Sequence, residues 1–153
     1  MSYDSTIDTK EHIARVAANL NLIQFNFSQR SVAHDASKLK PPEKEAFDAL
    51  TPRLKELQYG SEGYRACLRE MRSALEHHYQ YNSHHPEHWP NGVADMSLMD
   101  ILEMMADWKA AGERHVPPNS LENSIAHNAE RFKLSPEMTK ILYTTARELN
   151  WIV

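Results

Sequence analysis

The chain has a single cysteine in 153 residues, only four glycines, and no apolar run approaching the ~20 residues that a membrane span requires. One thiol, Cys67, cannot close an internal disulfide, which suits a reducing compartment; a cytoplasmic protein is expected. Scarce glycine argues against a turn-rich sheet protein and for helices. No excess of positive charge exists either: 17 Lys and Arg face 21 Asp and Glu, for a formal charge of -4. A long nucleic acid held by counterion release is thereby excluded, whereas a small anion gripped by a few local cations is not. The segment MSYDSTIDTKEH lacks a basic stretch followed by an apolar one, so neither secretion nor membrane insertion is expected.

What the chain has in quantity is histidine. Seven of the nine fall in three places: His12, His34, and the run from His77 to Trp89 that holds His77, His78, His84, His85 and His88. The pair His34-Asp35 sets an imidazole beside a carboxylate, and the two can grip one divalent cation if other elements bring further ligands to the same point.

Helical periodicity places these residues. Asp8 and Glu11 resemble a capping box, and Ile13, Val16, Ala17, Leu20, Ile23 and Phe27 recur at helical spacing, predicting a first helix over Thr9 to Gln29 with His12 beside its buried stripe. A short second helix, Ser31 to Leu39, ends at Pro41-Pro42 and puts His34 and Lys38 on one face. Phe47, Leu50, Leu54 and Leu57 mark a third helix ending near Tyr59-Gly60, kinked or split by Pro52. Glu43 and Glu45 suit its first turn, with a proton-carrying role as the alternative.

Tyr64, Cys67, Leu68, Met71, Leu75 and His78 form the stripe of a helix from Glu62 to Tyr81, on which His78 faces inward ahead of His77. SHHPEHWPNG must then be a loop, and a polar connector has no evident need of three imidazoles. Asp95 or Ser97 caps a helix running to about His115 whose apolar positions cover most of its circumference. An acid inside such a helix is costly unless paired or bound to a metal, which singles out Asp107, with Asp100 in reserve and Glu103 as an outer acid pairing with Lys109 or Arg114. Beyond Pro117-Pro118, two more helices are capped by Asn119 or Ser120 and by Ser135 with Pro136. They carry apolar faces without a dense polar constellation. No repeat or linker divides the chain, so one all-α domain of six to seven helices over 1–153 is expected.

The order His12, His34-Asp35, Asp107 resembles the HD-domain superfamily, whose ligands are an upstream His, an adjacent His-Asp pair and a distal Asp. HDASK is similar to the HDxxK motif of the HD-GYP branch, in which later histidines hold a second metal; His78 (or His77), His84 and His85 stand in the matching order, although no GYP motif is present. The run HHYQYNSHHPEHW with DMSLMDILEMMADWKAAGERH also resembles small, mostly phage-borne proteins related to HD domains. The resemblance implies a compact HD-like bundle and metal-dependent hydrolysis of a small anionic phosphate ester, most plausibly a nucleotide. It implies one or two divalent ions of Mn, Fe, Co, Ni or Zn, with Asp35 bridging two, Lys38 and Arg114 complementing the phosphate, and Glu43 or Glu45 standing where the proton donor would be. Two other expectations are a di-iron oxygenase and a non-catalytic helical binding protein tied down by metal. Homo-oligomer formation is left open.

Overall fold

The computed structural model describes residues 3–58, 61–114 and 118–153. Among them the fold is all-α, with seven α-helices, three short 3-10 turns and no strand. The chain divides into two compact units, 1–36 and 37–153. No helix among the described residues is long and apolar enough to cross a membrane.

The N-terminal unit is a single long helix, α1 (Thr6–Ala33), followed by His34 and Asp35. The expected break after Gln29 is absent: the helix runs through Arg30, whose carbonyl accepts the His34 N–H. None of its residues is buried, and Ile13, Val16, Leu20 and Ile23 are exposed, contrary to the expected buried stripe. Its end is set by Asp35, which adopts the left-handed conformation at φ 56°. A short polar residue tolerates that region better than most. The chain then makes a 3-10 turn over Ala36–Leu39, so His34 and Lys38 do not share one helical face as expected.

In the C-terminal unit, α2 (Glu43–Glu56) accommodates Pro52 without splitting. The predicted helix over Glu62 to Tyr81 is interrupted at Met71, giving α3 (Glu62–Glu70) and α4 (Arg72–Tyr81). The buried stripe nevertheless continues across the interruption through Cys67, Met71, Ala74 and His78. Three helices follow the histidine-rich loop: α5 (Leu98–Glu113), α6 (Leu121–Arg131) and α7 (Pro136–Glu148). Ser97, Ser120 and Ser135 each cap the following helix through the side-chain oxygen, and Pro136 opens α7, as their residue types predict. The expected ends at Tyr59-Gly60 and His115, and Pro117 of the Pro117-Pro118 break, lie outside the described residues.

Two apolar clusters hold this unit. Leu50, Cys67 and Met71 with Phe47, Leu54 and Leu75 join α2, α3 and α4. Ile101, Met104, Met105, Leu121, Ile125, Leu142 and Ala146 join α5, α6 and α7. Helix α5 buries five residues, in keeping with its wide apolar face. The polar loop between α4 and α5 connects the two clusters, and the histidines concentrate there.

Candidate metal centre and adjoining cleft

The loop after α4 is fixed by its own polar groups. Ser83 Oγ donates to Asp100 Oδ1 (2.6 Å), Trp89 Nε1 donates to the Ser83 carbonyl (2.9 Å), and His88 Nδ1 lies 2.7 Å from the Tyr79 carbonyl. Asp100 is thereby accounted for. It also accepts from the Ser97 N–H and Oγ, completing the capping box of α5. A carboxylate carrying that many donors serves as a structural anchor of the loop and of the α5 cap.

Held this way, the loop sets His84 and His85 against His78 of α4. The three ring nitrogens they offer lie within 4.8 Å of one another. His78 Nε2 and His85 Nε2 are 3.0 Å apart, and the His84 and His85 ring centroids are 4.2 Å apart. A ring nitrogen of His84 and a carboxylate oxygen of Asp107 on α5 also lie within 4.8 Å. His78 and His84 are only 1% and 2% exposed, and His85 and Asp107 are half-buried.

Each buried imidazole has a carboxylate behind it. Glu43, 0% exposed, takes hydrogen bonds from His77 Nδ1 (2.7 Å), His78 Nδ1 (2.9 Å) and Ser37 Oγ (2.9 Å). Burial works to raise its carboxyl pKa, but the hydrogen bonds from His77, Ser37 and His78 outweigh it and hold the group below its ordinary range. An ionised carboxylate only accepts, so it favours the His78 tautomer with the proton on Nδ1 and the lone pair on Nε2, the atom facing His85. Asn82 completes the nest by donating to Ser37 Oγ and to the His78 carbonyl, both at 2.8 Å. Glu43 is therefore not a solvated first-turn acid. Glu103 Oε1 stands 3.2 Å from His84 Nδ1, so the outer acid foreseen for Lys109 or Arg114 pairs with a histidine instead. Lys109 pairs with Glu113.

The chemistry of this donor set fits a divalent transition ion. Two imidazole nitrogens each about 2.0–2.1 Å from one ion are themselves separated by roughly 3 Å, the spacing found between His78 and His85. Ligating histidine must be neutral. Burial, reinforced by His84, His78 and Lys38 and opposed by Asp107, pushes the His85 pKa down to about 3. The carboxylates behind His78 and His84 fix ring orientation and tautomer in the manner of outer-shell partners at metal centres.

His77 serves the outer oxygen of Glu43, while His78 enters the cluster. Lys38 sets its ammonium 5.2 Å from the Phe47 ring centroid and contributes positive charge at His85. Arg114 is exposed at the C-cap of α5 and does not line the cleft described below. In the N-terminal unit, His34 Nε2 lies 3.7 Å from Asp35 Oδ2. His12 stands on the same unbroken helix that His34 caps. The separation of 22 positions along that helix corresponds to about 33 Å of rise, so α1 itself does not bring the two histidines together.

His85 and Asp107 also line a cleft of about 650 Å³ whose far wall is α6, through Asn123, Ser124, His127, Asn128 and Arg131. Nothing in the sequence marked α6, because Asn, Ser and Arg at helical spacing read as an ordinary solvated face. The missed partners Ser37 and Asn82 are equally ordinary until the fold brings them to His78.

Searches of curated proteins and of solved structures each returned no match to the chain. A family model does match, over residues 1–148, and carries the description "Family of unknown function (DUF5662)". The chain belongs to that family of unknown function.

Proposed function

We propose that the protein is a metal-dependent phosphohydrolase acting on a small phosphate ester of the nucleotide class or related to it. The observation that carries the reading is the cluster of His78, His84 and His85, backed by Glu43 and Glu103 and opening through His85 and Asp107 onto a cleft. Structural metal centres are closed, whereas catalytic ones keep a position open to substrate; the adjoining cleft supports the second kind. Imidazoles with one carboxylate suit one or two ions of Mn, Fe, Co, Ni or Zn.

Bound there, such an ion supplies a water made acidic enough to ionise near neutrality and a sink for charge on phosphate oxygens. The rest is the work of the chain. Glu43 and Glu103 hold His78 and His84 in ligating orientation, and burial keeps His85 neutral. Lys38 supplies positive charge beside His85 and is the group suited to complement a phosphate oxygen. Arg114 has no such position, and Glu43, enclosed by three donors, acts as a positioning residue and not as the proton carrier. The His34-Asp35 pair belongs to the N-terminal unit, and its part in the reading rests on the sequence resemblance alone.

The test is metal analysis of protein purified without chelator, followed by phosphate release from a panel of nucleotides and sugar phosphates. Bound transition metal and turnover in the wild type, both lost in His78→Ala and His85→Ala, are expected. Undiminished turnover in those variants would overturn the assignment.

A further inference from the structure

We infer that the α6 wall of the cleft recognises a neutral, hydrogen-bonding organic group with a flat face, so that the substrate is a phosphomonoester of the nucleoside type and not a polyphosphate. This rests on the phosphohydrolase reading for the identity of the phosphate, but its organic half rests on the cleft alone.

The volume of about 650 Å³ falls within the range of small-molecule sites. Its chemistry is asymmetric. The end at His85 and Asp107 adjoins the imidazole cluster, whereas the α6 end is lined by carboxamides, a hydroxyl and aromatic rings together with His127 and the ion-paired Arg131. Trp108 and Phe132 lie parallel, at an interplanar angle of 4° with centroids 6.4 Å apart, and give the cleft an apolar surface suited to a flat ring.

Charge decides against additional phosphates. The cationic side chain in the lining, Arg131, is already joined to Glu87 Oε1 at 2.8 Å, and Glu87 and Asp107 both line the same cleft. A second or third phosphate would meet no surplus positive charge there and would face two carboxylates. One phosphate, placed at the imidazole end, is the load this surface accepts.

Asn128 indicates what the organic group offers. It is 8% exposed, and its Nδ2 donates to the Ser124 carbonyl at 3.0 Å, which fixes the amide's orientation. Oδ1 is then the remaining acceptor of a buried cleft-lining side chain, and it receives no hydrogen bond from the protein among the described residues. That oxygen belongs to a side chain lining the cleft, so a ligand that presents an N–H or O–H at this point gains a hydrogen bond that one without such a donor does not. Asn123, exposed on the same helix, adds a second carboxamide at the mouth. Nucleoside edges and hydroxyls carry such donors, and a nucleobase also has the flat face that a simple sugar lacks.

The experiment separates this inference from the metal chemistry by using ligands without phosphate. Calorimetric titration of the full chain in chelator with the common ribonucleosides is expected to show saturable binding. Asn128→Ala should weaken it about tenfold, and Asn123→Ala, at an exposed position that leaves the helix intact, by a smaller factor. With metal restored, nucleoside monophosphates should bind better than triphosphates and better than ribose 5-phosphate. Glu87→Gln, which releases Arg131 from its partner, should improve triphosphate binding relative to that of the monophosphate. Absence of nucleoside binding to the folded protein, indifference to both asparagine substitutions, or tighter binding of triphosphate or ribose 5-phosphate would each overturn the inference. Nucleoside binding without phosphate release would instead defeat the phosphohydrolase reading and leave only the recognition of the organic group standing.

Discussion

His78 Nε2 and His85 Nε2 face each other across 3.0 Å, with the Nδ1 of His78 committed to a fully buried Glu43. Two nitrogens at that separation are joined either by a shared proton or by a shared cation. The two cases differ in what they do to stability. An ion that binds only the folded chain raises the melting temperature in proportion to RT ln(1 + [L]/Kd), which amounts to ~2.7 kcal/mol at a hundredfold excess over Kd. Addition of Mn, Co or Zn to chelator-treated protein is therefore expected to raise Tm, and His85→Ala should abolish the increment. An equal increment in that variant would leave the proton as the link.

Glu43 has no solvent to replace what it provides. Replacement by Ala strands the N–H of His78, that of His77 and the Ser37 hydroxyl, at about 1–3 kcal/mol for each group that stays buried without a partner. A large loss of stability in urea unfolding is expected for Glu43→Ala. Glu43→Gln keeps the volume and one acceptor oxygen, so it should fold while losing metal affinity by about 10–100-fold, the usual effect of an outer-shell substitution. Unchanged affinity in Glu43→Gln would remove its positioning role.

How far these roles were legible in the sequence depends on whether a residue type has an everyday alternative. Three adjacent or near-adjacent histidines beside Pro86 have none, and the loop was marked from composition alone. Ser97, Ser120 and Ser135 announce helix starts because a hydroxyl before an apolar stripe satisfies exposed backbone N–H groups. Glu43 has an excellent alternative, since acids favour a helix's first turn; its burial follows from where α4 lies, which no local pattern encodes. Helix α1 failed in the other direction. Ser28, Gln29 and Ser31 look like a place to stop, yet Ser28 and Ser31 return their hydroxyls to the carbonyls of Gln24 and Ser28, and the helix continues to Ala33. That continuity is what separates His12 from His34.

The depressed pKa of His85 gives the metal-free protein an acid dependence with a definite window. A histidine that takes a proton at about 6.5 when unfolded but only at about 3 when folded leaves the unfolded chain binding more protons between those values. Stability is then unaffected by this group above pH 6.5, falls as pH drops from 6.5 toward 3, and levels off below. Glu43 adds loss only further down, because its carboxyl is held below the ordinary value and its contribution fades as pH falls from about 4.5 through the folded pKa. Urea midpoints in chelator should therefore decline between pH 6.5 and 5, where carboxylates are still ionised, and His85→Gln should flatten that part of the curve. A wild-type midpoint constant over this interval would contradict the burial of a neutral imidazole.

Gly112 shapes the cleft by having no side chain. A Cβ added there would stand 2.6 Å from the Asn119 carbonyl oxygen, and that segment is already tied to α5 by the Asn119 N–H to Gly112 carbonyl bond at 3.1 Å. Backbone cannot rotate out of the way as a long side chain can. Gly112→Ala should cost about 1–3 kcal/mol through the overlap, outweighing the gain in helix propensity. It should also weaken ligand binding, since both residues line the cleft. A variant as stable as the wild type would mean that the segment at Asn119 yields freely.

The two aspartates seven residues apart on α5 provide the sharpest contrast, because they have the same chemistry and different surroundings. Asp100 accepts from Ser83 and Ser97 and closes the capping box, so Asp100→Ala should lower stability by about 0.5–2 kcal/mol or somewhat more, given the added bond to Ser83, while metal affinity falls only through loosening of the loop. Asp107 borders the cleft within 4.8 Å of a His84 ring nitrogen, where its charge favours a bound cation. Asp107→Asn should lose both metal affinity and turnover. Metal affinity and unfolding measured side by side on the two variants read the difference directly. If Asp100→Ala proved the more damaging to metal binding at equal stability, the assignment of anchor and ligand would have to be exchanged.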